Sequence, residues 1–239
     1  MAPPLARRAL AEFCGTAFLL AIVVGSGIAA ETLSPGDVGL QLFENAAATA
    51  GGLAALIFAF GPVSGGHFNP VVTLADAAFG GLARRDVPAY LAAQFTGAVA
   101  GTVVANLMFE LPAVEWSDKV RSSGGLWLAE VVATIGLLVV IFGVVRSGRS
   151  SAAPVAVGAY IGAAYFFTAS TSFANPAVTM ARTFTDSFAG IAPSGVPAFV
   201  AAQLVGAVLA VVLIRTLYPD VDDVAGDVVV PQTAIEETT

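Results

Sequence analysis

Charge is scarce in this chain. Of its 239 residues only 11% are Asp, Glu, Lys or Arg, against about 25% in a soluble domain. That is too little to cover a water-facing surface, and 57% of the residues are apolar with a mean hydropathy of +0.84. Soluble enzymes, nucleic-acid binders and disordered chains are excluded as classes. A single cysteine, Cys14, rules out an intrachain disulfide. A single histidine, His67, rules out a multi-histidine metal site, and no metal or cofactor is expected. Lysine and arginine are rarer than acids, giving a net charge of −7, but the imbalance is local. Six of the seventeen acids (Asp220, Asp222, Asp223, Asp227, Glu236, Glu237) fall in the last twenty residues, an acidic tail over 218–239.

Long apolar runs are abundant. A helix needs roughly 20 mainly apolar residues to cross the bilayer. Six stretches qualify, at about 9–30, 44–62, 87–109, 125–145, 153–170 and 197–217. The first is too long for the core of a secretory signal. Two further apolar pieces, near 63–80 and 173–191, are too short to cross, and each contains Asn-Pro (Asn69-Pro70, Asn175-Pro176). Asparagine caps a helix and proline suits its first turn, so both read as starts of re-entrant half-helices. The basic residues set the orientation. With the N-terminus inside, inner segments hold Arg7, Arg8, Arg84, Arg85, Arg146, Arg149 and Arg215, and outer ones Lys119, Arg121 and Arg182. This bias predicts cytoplasmic N- and C-termini in a cell (inner) membrane.

The chain repeats itself. Ala11-Glu12-Phe13 matches Ala129-Glu130-Val131, Phe68–Thr73 matches Ala174–Thr179, and Ala93–Val99 matches Ala202–Val208, in the same order. Each repeat (about 9–109 and 125–217) holds three spans, an odd number, so the second inserts upside down. The two Asn-Pro loops then enter from opposite faces and meet near the midplane. Irregular backbone survives at that depth only if buried or lining a wet path. The carbonyls of Gly65, Gly66 and His67, and of Thr171, Ser172 and Phe173, are expected to line such a path. Half-helix N-termini at its middle disfavour cations. The fold class is all-α: six transmembrane helices, two re-entrant half-helices and an inverted repeat in one channel domain.

The motif Ser64-Gly65-Gly66-His67-Phe68-Asn69-Pro70-Val71-Val72-Thr73, with Asn175-Pro176-Ala177 in the second half, resembles the aquaporin (major intrinsic protein) family. The resemblance covers about residues 9–217. It implies a homotetramer in the lipid bilayer with one pore per subunit, passing water or small uncharged solutes. It also implies that Asn69 and Asn175 donate their amides to the solute. Two departures stand out. The first motif reads Asn-Pro-Val, and Val178 stands where the family carries the filter arginine. Counting without gaps puts the other outer-filter positions on Thr49, Ala163 and Ser172. That quartet has neither aromatic nor charge, which predicts a wide filter open to glycerol, urea, and arsenous acid or methylated arsenicals. A mainly water-selective pore is the alternative.

Arg182, one turn beyond Val178, is expected to anchor at the interface or pair with Asp186 rather than supply the missing charge. Glu12 and Glu130, acids within apolar spans, are expected to anchor the re-entrant loops through backbone N–H groups, with Gln94 and Gln203 adding polar stitching. His67 is expected to be a fixed hydrogen-bonding wall residue rather than a pH gate, and Cys14 a packing residue. An intramembrane protease is excluded, since no Gly-x-Ser-Gly or His-Glu-x-x-His occurs. A coupled transporter shares inverted repeats and broken helices but needs a coupling acid at the midplane. A non-conducting scaffold is the third alternative.

Overall fold

A computed structural model describes residues 3–224 and 226; the rest of the acidic tail lies outside the described residues. Among those described there is no strand. The chain runs through α1 (Leu5–Leu33), α2 (Val38–Ser64), α3 (Pro70–Phe79), α4 (Val87–Met108), α5 (Gly124–Arg146), α6 (Ala153–Phe167), α7 (Pro176–Ala181), α8 (Val196–Leu217) and α9 (Val221–Val224). Six of these helices are long and apolar enough to cross a membrane, and α3 and α7 are the two half-helices. Large apolar side chains such as Phe18, Leu128 and Val212 stand exposed on the outside of the bundle, a surface suited to lipid rather than water.

Several helices overrun their apolar stretches. The α2 helix starts at Val38 because Asp37 caps it, accepting from the Leu40 N–H at 3.0 Å. Its polar residues are tied to α1: Ser34 Oγ donates to Glu44 at 2.8 Å, and the Asn45 amide donates to the Val23 carbonyl at 2.9 Å and Ser26 Oγ at 2.8 Å. By contrast α6 stops at Phe167, where Thr168 turns extended and the chain enters the second re-entrant loop.

Helix α1 packs on α4 and α2, α5 packs on α8 and α6, and α2 meets α6 across the two halves. Small residues make the close contacts. A Cβ on Gly101 would fall on the Ala17 carbonyl of α1, and one on Gly97 would fall on that of Phe13. In the other half a Cβ on Gly206 would come within 2.8 Å of the Val131 carbonyl of α5. Without these glycines the backbones could not approach so closely.

The half-helices begin as their Asn-Pro sequences imply. Asn69 Oδ1 accepts from the Val71 N–H at 3.0 Å, and Asn175 Oδ1 from the Ala177 and Val178 N–H groups at 3.0 and 3.2 Å. Gly80 ends α3 in a left-handed turn. Helix α7 is shorter, six residues followed by a tighter turn at Arg182–Phe184. The two N-termini meet in the interior of the bundle, not at its opposite ends.

Candidate conduction site

The two loops brace each other where the half-helices meet. The Asn69 amide donates to the Ala174 carbonyl at 2.8 Å, and the Asn175 amide donates to the Phe68 carbonyl at 2.8 Å. Each amide nitrogen carries two protons, so each asparagine keeps one with no acceptor among the described residues. Both asparagines line a cavity of about 270 Å³ running between the halves.

Backbone conformation turns the loops toward this cavity. Gly65, Gly66 and Phe68 have positive φ (94°, 62°, 47°), and so do their repeat partners Thr171, Ser172 and Ala174 (61°, 51°, 45°). A threonine, a serine and an alanine held there are strained, by about 1–2 kcal/mol per residue. The carbonyls of Gly65, Gly66, His67, Thr171, Ser172 and Phe173 accept no hydrogen bond among the described residues. Gly65, Gly66, His67, Ser172 and Phe173 border the cavity; Thr171 does not and is only half-buried.

Glu12 and Glu130 hold the loops from behind, both fully buried. The Glu12 carboxylate accepts from Ser64 Oγ (2.6 Å), the His67 and Phe68 N–H groups (3.0 and 2.8 Å) and Gln94 Nε2 (2.7 Å). Glu130 accepts from the Phe173 and Ala174 N–H groups (2.9 and 2.8 Å) and Gln203 Nε2 (2.6 Å). Each glutamine also donates to a threonine of its half-helix, Thr73 or Thr179, at 2.8 Å. Neither acid stands free at the midplane as a coupling carboxylate would. Cys14 is a half-buried thiol of α1.

The end of the cavity beyond Asn175 departs from the count made without gaps. Thr49, Ser172 and Val178 border it, but Ala163 lies exposed on the outside of α6. Helix α6 presents Val157, Ile161 and Tyr165 instead, at i, i+4 and i+8. Ala163 is two residues from Tyr165, about 200° around the helix. Tyr165 therefore supplies an aromatic wall, its hydroxyl 3.2 Å from Thr49 Oγ1.

Arg182 is the second correction. It is neither an interfacial anchor nor a partner of Asp186, whose carboxylate accepts from Ser117 and the Asp118 N–H. The side chain is buried and borders the cavity. Its Nε donates to the Ala189 carbonyl, and its guanidinium carbon sits 3.5 Å from the centre of the Phe173 ring. Neither Nη group has an acceptor among the described residues. Arg121 approaches the same ring at 5.3 Å and is fixed to the Gly190 and Phe188 carbonyls. Burial holds the Arg121 guanidinium below its ordinary value. This end thus carries both the aromatic and the charge that Ala163 and Val178 lack. No local signal marks Tyr165, because α6 carries no charged residue to set which face turns inward.

Two asparagine-capped half-helices meeting end to end, between six spanning helices, define a membrane channel. The profile of the major intrinsic protein family matches residues 2–174 and again 155–238, and the chain belongs to that family. It is 52% identical over 213 residues to aquaglyceroporin AqpS of Rhizobium meliloti (strain 1021), covering 89% of this chain and 91% of that one. Aquaporin NIP1-1 of Zea mays is 34% identical over 167 residues, 66% of this chain and 56% of that protein. Among solved structures, the aquaglyceroporin from Plasmodium falciparum superimposes with a TM-score of 0.70 at 21% identity, over 92% of this chain and 99% of that one. The protein is a multi-pass channel for water and small solutes, not an enzyme.

Proposed function

We propose that the channel passes glycerol and related polyols, urea and undissociated metalloid acids such as arsenous acid or its methylated forms, alongside water. The observation that carries this reading is the make-up of the cavity. Unpartnered loop carbonyls and the spare amide protons of Asn69 and Asn175 form one polar line. Leu19, Val23, Leu53, Ile161 and Val178 form apolar wall around it. A polyol, with hydroxyls along one edge and C–H groups along the other, suits that cross-section. In this reading Thr49, Tyr165, Ser172, Val178 and Arg182 make the outer filter, and the Arg182 Nη groups bind solute oxygen. Their charge and the half-helix N-termini repel cations. The resemblance to aquaglyceroporin AqpS supports the solute class. The protein would act as a homotetramer in the cell (inner) membrane with cytoplasmic termini.

Swelling of proteoliposomes tests the filter. Arg182→Ala should raise glycerol and urea uptake several-fold while water flux is kept. Unchanged selectivity in a folded variant would remove Arg182 from the filter.

A further inference from the structure

The half-helices share a feature beyond their caps. In each, the residue seven positions after the asparagine lies against the residue two positions before it. Around α7 that pair is Arg182, in the turn after the helix, on Phe173; around α3 it is Asp76 beside His67, with Oδ2 3.5 Å from Nε2. Both side chains of the second pair are fully buried, and His67 borders the cavity. His67 Nε2 and both Asp76 oxygens have no hydrogen-bond partner among the described residues. Three orphaned buried polar atoms at one spot are costly unless something satisfies them.

The hydrogen bonds around His67 constrain its tautomer. Thr73 Oγ1 donates its only proton to the Asn69 carbonyl at 3.2 Å and accepts from Gln94 Nε2 at 2.8 Å. With the Thr73 proton on the Asn69 carbonyl, the hydroxyl is the acceptor at its 3.1 Å contact with His67 Nδ1, and Nδ1 carries a proton. In the neutral ring Nε2 then presents a lone pair to a carboxylate, two acceptors face to face.

We infer that His67 and Asp76 bind one proton between Nε2 and Oδ2, forming a proton site in the wall of the channel. With that proton the pair is neutral overall, whichever atom holds it. Among the described residues no other charge is paired with Asp76: on α5, Glu130 is engaged by the second loop and Arg146 by Asp220. On α1, Glu12 is engaged by the loop donors, and Arg8 is held by Asp86 at 2.7 Å. On α4, the Tyr90 ring lies 5.4 Å from the His67 ring, and its hydroxyl donates to the Ser64 carbonyl. On α8, Arg215 reaches the Ala78 carbonyl and Asp222. An isolated imidazole would gain charge between about pH 8 and pH 5. The shared proton keeps this stretch of wall uncharged over that range, so flux stays level with pH.

His67 is the only histidine in the chain, so nitrogen NMR of labelled histidine reports on it alone. The wild-type channel should show a proton coupled to Nε2, and ring shifts that stay level between about pH 5 and pH 8. Asp76→Asn should abolish that proton, leaving a neutral ring protonated at Nδ1. Asp76→Leu, which puts an apolar side chain of similar size there, should likewise remove the Nε2 proton and leave the buried ring neutral. If Asp76→Leu fails to fold, the wild-type titration and Asp76→Asn still decide. A wild-type ring that titrates through this range, or a wild-type Nε2 without a shared proton, would overturn the inference. The spectrum does not depend on which solute the channel carries, so it stands apart from the solute assignment.

Discussion

At the scale of single residues, Glu12 and Glu130 each hold several buried donors at once. Glu12 satisfies four donors that have no water to turn to. Glu12→Gln replaces one acceptor oxygen with a donor facing donors, and should cost about 1–3 kcal/mol for each donor left unmatched. Thermal unfolding in detergent should show a clear loss of stability for Glu12→Gln and Glu130→Gln. A variant that folds normally but loses a proton-dependent flux would point to coupling instead. Val178→Arg places a second guanidinium one turn from Arg182 at the outer end. Glycerol uptake should fall more than water flux, as read by swelling, and equal uptake would show that position 178 is not in the filter. The acids and asparagines were legible in the sequence because charge and Asn-Pro are conspicuous in apolar surroundings. Asp76 was not, because only the folded half-helix brings its carboxylate back to His67.

At the scale of elements, the starts of the half-helices could be read directly, since cap and proline are local signals. The α6 face could not. Its phase depends on how many residues the loop to α7 consumes, and a two-residue error exchanged inward Tyr165 for outward Ala163. Helix packing rests on missing side chains. Gly101→Leu would drive a side chain into the backbone of α1 and should destabilise the protein by at least about 1–3 kcal/mol, visible as a lower unfolding temperature; no change would mean that α1 and α4 do not pack as described. At the end of the described chain, Asp220 accepts both arms of Arg146 at 2.9 and 3.0 Å. That hydrogen-bonded pairing holds the Asp220 carboxyl below its ordinary value. A depressed folded value means that the contact's contribution is full above the usual carboxylate range, near 4, and lost only as pH falls through the lower value. Proteolysis after Leu217 should therefore rise at strongly acidic pH and, at neutral pH, in Asp220→Asn. Cleavage indifferent to both changes would show that the ion pair does not hold this segment.

At the scale of the whole molecule, the inverted pairing of Glu12 with Glu130, Gln94 with Gln203 and Asn69 with Asn175 yields one cavity with two unlike halves. An arginine stacked on Phe173 borders it from the second half, and a histidine beside an aspartate borders it from the first. Composition and the odd-span repeat were enough to indicate this architecture. The unlike halves were not legible, since they depend on which side chains the bundle turns inward. A conduit held open by cross-braced asparagines needs no conformational cycle and no coupling ion. The most direct test is glycerol flux into proteoliposomes, measured by stopped-flow light scattering over a wide range of glycerol gradients, with and without sodium and proton gradients. The flux should rise in proportion to the glycerol gradient and ignore both ions. Saturation at low concentration, or dependence on either ion gradient, would contradict a passive channel.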